Sequence, residues 1–210
     1  MSHAQDRVTV VVATNNTHKV EEIARALQHE NIRFVPIFEV IKNWESPLED
    51  ADTFEGNARI KAEAVHRATG LPALADDSGL VVDALDGAPG VRSSSYGGVE
   101  GDDARNNARL LEELKAYPDG QRTARFVSTL ILVGLDSQIE HAPAYLKVTG
   151  SVEGTIATTP CGTLGFGYDP LFVPDVATGK TMAQLSLDEK NAISHRGNAL
   201  KILAEKLNLL

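Results

Sequence analysis

The sequence predicts an α/β fold, and three observations carry that reading. "VTVVVAT" from Val8 is a nearly unbroken β-branched run, the pattern of a strand buried on both faces. After the polar break "NNTH", apolar residues recur at Val20, Ile23, Ala24 and Leu27, a helical stripe. Strand-like and helix-like segments then keep alternating along the chain.

"IRFVPI" reads as a second short strand ended by Pro36. Residues 42–52 are polar and acidic, a loop. Thr53 then stands as N-cap for "FEGNARIKAEAVHRAT", with Gly70 as the stop. "PALA" and "LVVDAL" read as two strands separated by a turn at "DDSG". "DDARNNARLLEELK" predicts a third helix capped by Asp102 or Asp103, with Pro118 beyond its end. "TARFVSTLILVGL" is a long strand and "AYLKVTGSVEGTI" a partner for it. Residues 158–170 are loop-like and glycine-rich, Ser186 to Glu189 have capping-box spacing, and "NALKILAEKLNLL" is an amphipathic helix. No repeat or linker separates independent domains, so residues 1–210 are expected to form one.

Composition narrows the function. Hydrophobic residues are 42% and charged residues 23%, as in ordinary globular chains. Twenty basic against twenty-nine acidic side chains give a net charge of −9, which argues against long nucleic acid as a partner. A nucleotide needs only a local basic cluster and is still allowed. Cys161, the single cysteine, rules out an internal disulfide, suits a reducing cytosol and is expected as a small buried or semi-buried filler. No apolar stretch reaches membrane-spanning length and "MSHAQDRV" lacks a signal-peptide centre, so a cytoplasmic protein is expected, with no membrane partner.

Four segments can carry chemistry. In "ATNNTHK" the backbone N–H groups at a helix start, with Lys19 in the first turn, suit an anion; a plain solvated βα loop is the alternative. In "ADDSG", Asp76 and Asp77 converge only if the chain bends, which Gly79 permits. One carboxylate could then hold Mg²⁺ and another orient a water, against a simple Asx-turn. "GFGYDP" offers Phe166 for stacking on a base and Asp169 for its N–H, against a tight turn whose Phe plugs the core. "DEKNAISHRGNAL" puts Lys190, His195 and Arg196 close together, fit for phosphate or a base edge, against a corner of solvated charges. "DDSGL" is no nucleophile elbow, so an activated water is preferred to covalent catalysis.

Taken in order, "TNNTHKVEEI", "TFEGNARIKAEA", "ALADDSGLVVDALDGAPGV", "GFGYDPLF" and "EKNAISHRGNAL" closely resemble the inosine triphosphate pyrophosphatase family over nearly the whole chain. The resemblance implies an elongated two-lobed α/β fold. It also implies a long mixed sheet flanked by helices around a central substrate cleft. It implies a homodimeric, Mg²⁺-dependent enzyme that hydrolyses non-canonical purine triphosphates (ITP, dITP, XTP) to monophosphate and pyrophosphate. By the same likeness Thr14, Asn15, Asn16, Thr17, His18 and Lys19 grip the triphosphate. Asp77 is the catalytic and metal-binding carboxylate, and Ser78 touches substrate. Phe166, Gly167, Tyr168 and Asp169 hold the base, Lys190 approaches the nucleotide, and His195 and Arg196 read the oxo edge. Asp76 is a further metal candidate. Two positions depart from the family pattern. Leu48 stands where a metal-binding glutamate is usual, leaving Glu49 or Glu45 to serve, and Ser95 stands where an arginine is usual, with Arg92 nearby. A binding-only regulator of the same fold, or a Maf-like enzyme for modified pyrimidine nucleotides, are the alternatives.

Overall fold

The computed structural model describes residues 7–177 and 179–208. Among the described residues six strands form one sheet: β1 (Val8–Val12), β2 (Ile32–Pro36), β3 (Ala73–Val82), β4 (Thr123–Val133), β5 (Tyr145–Ile156) and β6 (Phe172–Pro174). Their order is β2-β1-β3-β4-β5-β6. β1 runs parallel to β2 and β3, whereas β5 and β6 are antiparallel, so the sheet is mixed. The helices are α1 (Thr17–Ala26), the short α2 (Ile37–Val40), α3 (Phe54–Thr69), α4 (Asp103–Glu113), α5 (Leu187–Ile193) and α6 (His195–Leu207). Among the described residues no helix is long and apolar enough to cross a membrane.

The chain divides into two compact units. The first holds the residues up to Asp77, Thr129–Thr149 and those from Ala199 on; the second holds Ser78–Ser128 and Gly150–Asn198. The division therefore falls inside β3, β4, β5 and α6.

In the first unit β1 explains the arrangement. Val10 and Val12 pack with Ile23 of α1, with Leu27 just past its end and with Leu200 and Leu203 of α6, while Val11 packs with Ala58, Ala62 and Val65 of α3. Side chains alternate across a strand, so an unbroken valine run needs apolar cover on both sides, and these helices supply it. The same alternation runs through β3. Leu74 faces the α1 side, and Ala73 and Ala75 face α3.

The second unit has its own core. Leu80 and Val82 of β3, Phe126 of β4, Val152 and Ile156 of β5 and Phe172 of β6 pack with Leu110 of α4 and with Leu114, Leu171 and Met182.

The structure corrects two expectations. "DDSG" is not a turn: β3 runs unbroken from Ala73 to Val82, with Asp76 and Asp77 inside it and buried. Buried lysine partners, described below, remove the need for these carboxylates to reach water. Cys161 is exposed rather than buried. Its backbone is what is used there, since Cys161 N–H donates to the Pro170 carbonyl (2.9 Å) and its carbonyl accepts from Thr181 Oγ1 (2.6 Å).

Candidate functional site

Each unit buries a cluster of charge. In the first, the loop after β1 is organised by its own side chains. Thr14 Oγ1 accepts from Asn16 N–H at 3.1 Å. Asn16 caps α1, its Oδ1 accepting from His18 N–H at 3.0 Å and from Lys19 N–H at 3.3 Å. Asn15 donates from Nδ2 to the Trp44 carbonyl (3.3 Å). Asn15, Asn16, Thr17 and His18 are exposed. Lys19 instead reaches inward, its ammonium 2.9 Å from the fully buried Asp76 Oδ2.

The two adjacent aspartates thus do not converge. Asp76 shares its face of β3 with Leu74 and meets Lys19 of α1; Asp77 shares the opposite face with Ala73 and Ala75 and meets Lys61 of α3 (3.0 Å). Lys61 Nζ also lies 2.7 Å from Glu49 Oε2, so one ammonium joins two carboxylates. Burial raises the pKa of Asp77, Glu49 adding to it against the opposing pull of Lys61 and Lys19. Burial opposes the charged form of Lys61 too, but Asp77 and Glu49 outweigh it and raise its pKa, so the ammonium keeps its charge.

Asp77 Oδ2 is buried and has no hydrogen-bond partner. A buried carboxylate oxygen left so is costly, and a cation is the natural partner. No three His, Cys, Asp or Glu side chains cluster as a metal nest among the described residues. A hard divalent ion that keeps its waters and shares substrate phosphate needs only one or two carboxylates. Asp77 and Glu49, already gathered around one cation, fit such an ion. Asp76, engaged with Lys19 on the other face, does not join them.

In the second unit Asp169 organises the glycine-rich loop. Its Oδ2 accepts from Phe166 N–H at 3.0 Å and from Lys190 Nζ at 2.7 Å, both acid and lysine being almost fully buried. Lys190 Nζ sits 4.6 Å from the centre of the Phe166 ring and the Arg196 guanidinium carbon 5.8 Å from it. Arg196, itself buried, donates to Ser78 Oγ at 2.9 Å. Phe166, Asp169, Lys190, Arg196 and Ser78 are thereby brought together. A half-buried aromatic face beside buried donors can hold a flat base with oxo groups.

Two further expected residues make packing contacts of their own. His195 stacks on Phe126, ring centres 4.7 Å apart and planes 13° from parallel. Tyr168 packs in the core and donates its hydroxyl to the Ser93 carbonyl (2.9 Å), while burial raises its pKa. The geometry gives Tyr168 an anchoring part in the loop. Leu48 is exposed, and it is Glu49 that stands beside Lys61.

Sequence reasoning missed Lys61. Its signal was present: the lysine lies on the stripe Ala58, Ala62, Val65 that α3 buries, and a charge on such a stripe asks for a partner.

A sequence model of the Ham1 family matches residues 10–206. The dITP/XTP pyrophosphatase of Shigella flexneri is 47% identical over 201 residues, covering 94% of this chain and 97% of the relative. That of Mycolicibacterium paratuberculosis is 43% identical over 203 residues, 96% of each. Among solved structures, a HAM1 protein from Coxiella burnetii superposes with a TM-score of 0.85 at 42% identity, covering 97% of this chain and all of that one. The Staphylococcus aureus Ham1 protein gives 0.81 at 38%, covering 95% and 98%. Matching sequence and architecture over nearly its whole length, the chain belongs to the Ham1 family.

Proposed function

We propose that this chain hydrolyses non-canonical purine nucleoside triphosphates (dITP, XTP and ITP) to the monophosphate and pyrophosphate, cleansing the cytoplasmic nucleotide pool. The observation that carries the reading is the Asp77–Lys61–Glu49 cluster, whose unpartnered Oδ2 suits a cation-assisted attack on phosphate. The names of the relatives, dITP/XTP pyrophosphatases, supply the substrate class.

Asp77 and Glu49 would hold Mg²⁺, which when bound neutralises phosphate charge and acidifies water. Asp77 orients the attacking water and takes its proton, a task suited to a carboxyl whose pKa is raised. The water oxygen bonds to the α-phosphorus, the bond to the bridging oxygen breaks, and pyrophosphate leaves with the electron pair. Lys61 keeps Asp77 in orientation. Lys19, steadied by Asp76, meets the triphosphate with the loop Thr14 to His18. Phe166 stacks on the purine, and Lys190, Arg196 and Ser78 stand by its oxo edge. Adenine, with an amino group where hypoxanthine has O6, leaves such donors unpaired, at about 1–3 kcal/mol per lost partner. The working form is proposed to be a homodimer, which sedimentation of the purified chain tests.

The test is a panel of dITP, XTP, ITP and the common triphosphates with and without Mg²⁺, scoring pyrophosphate against orthophosphate. Pyrophosphate release from the deaminated purines, with Asp77→Asn slower by about 10²–10⁴-fold, is the expected result. Binding without product, or orthophosphate as product, overturns it.

A further inference from the structure

We propose that Asp103 and Asn107 of α4 are positioning residues for the base platform, setting the Phe166 ring by clamping the backbone of Gly167; this rests on the function proposed above. Asp103 Oδ2 accepts from Gly167 N–H at 2.6 Å, and Asn107 Nδ2 donates to the Gly167 carbonyl at 2.9 Å. Four residues apart on a helix, the two side chains share a face and hold both polar groups of one glycine.

Asp169 already holds Phe166 N–H. The clamp adds the peptide on the other side of Phe166, so its backbone is fixed before and after the side chain. Gly167 is left-handed, with φ of 63°, a conformation that glycine adopts without strain and that turns its N–H and carbonyl to the two side chains of α4. The support is rigid. Leu110 of α4 lies fully buried in the core, and Asn106 ties the helix to Gly97 N–H (2.6 Å) and the Ser94 carbonyl (3.0 Å). A platform set on a helix keeps the ring at one height and tilt against Lys190 and Arg196.

Asn107 also carries a mark of its role. Its Oδ1 is buried without a hydrogen-bond partner. An apolar side chain of similar size would avoid that cost. The amide is therefore poorly explained by stability alone, and the bond from its Nδ2 to Gly167 explains it.

Steady-state kinetics with dITP test the clamp. Asp103→Ala and Asn107→Leu should each raise KM about 3- to 10-fold with kcat unchanged. Asp103→Asn, which keeps an acceptor oxygen, should stay near the parent value. Asn107→Leu should melt no lower than the parent, which separates positioning from a structural role. In a Phe166→Ala background neither substitution should raise KM further. Unchanged KM in Asp103→Ala and Asn107→Leu, or an equal rise in the Phe166→Ala background, overturns the clamp while leaving the proposed function standing. A parent chain without dITP turnover overturns that function instead. Calorimetric affinity for inosine monophosphate then reads the clamp, weaker binding in the variants supporting it and equal or absent binding overturning it.

Discussion

At the residue scale, Lys61 is the point on which one cluster turns. It neutralises Asp77 and Glu49 together, and removing one partner of a buried ion pair typically costs about 3–5 kcal/mol. Lys61→Met should lower the melting temperature in chelator, and added Mg²⁺ should recover part of the loss by supplying the missing charge, as thermal melts with and without the ion would read. Gly165 is equally exacting. It has φ of 76°, and a Cβ there would come within 2.0 Å of Asp169 Oδ2, the atom that holds Phe166 and Lys190. Gly165→Ala should raise KM for the purine substrate more than it changes kcat. These residues were unequally legible. Lys19, Asp77, Phe166, Asp169, Lys190 and Arg196 sit in short motifs that can be read from neighbours. Lys61 shows only as a charge on the buried stripe of α3, and Asp103 and Asn107 not at all, because the Gly167 that they hold lies 64 and 60 positions away.

At the element scale, α3 and β3 show why local signals succeed or fail. α3 begins and ends where local chemistry dictates: Thr53 Oγ1 accepts from Gly56 N–H at 3.0 Å, and Gly70 closes the helix with φ of 69°. Thr53→Ala should cost about 1 kcal/mol in urea unfolding. β3 defied its turn-like residues because its two aspartates pair with lysines of helices on either face, which no local pattern records. α6 begins three residues before "NALKILAEKLNLL", since Ser194 takes the role of cap, its Oγ accepting from Gly197 N–H at 3.0 Å. α4 carries a pH-sensitive tie. Glu113 accepts from the Tyr96 hydroxyl and from Arg109, and these lower its pKa, the tyrosine first. A lowered carboxyl contributes stability that is fully present above its ordinary value of 4.5 and lost as pH falls through the lowered one. Glu113→Gln should therefore lose less stability than the parent between about pH 5 and pH 3 in acid-unfolding curves.

At the scale of the whole molecule, the two units are not successive lengths of chain. The boundary cuts β3 between Asp77 and Ser78, β4 between Ser128 and Thr129, and β5 between Thr149 and Gly150. Strands continuous through both cores make independent unfolding costly, since either unit melting strips pairing from half of each shared strand. Calorimetry should show one transition with equal calorimetric and van't Hoff enthalpies. Sequence patterns made the mixed α/β layering legible here, but not this interleaving, which arises only from long-range strand order.

The back-to-back placement of Asp76 and Asp77 makes β3 intolerant of a change in phase. One alanine inserted between Ala75 and Asp76 would move every later side chain to the other surface of the sheet, sending Asp76 toward Lys61 and Asp77 toward Lys19. Length, more than composition, is what this strand must conserve to work.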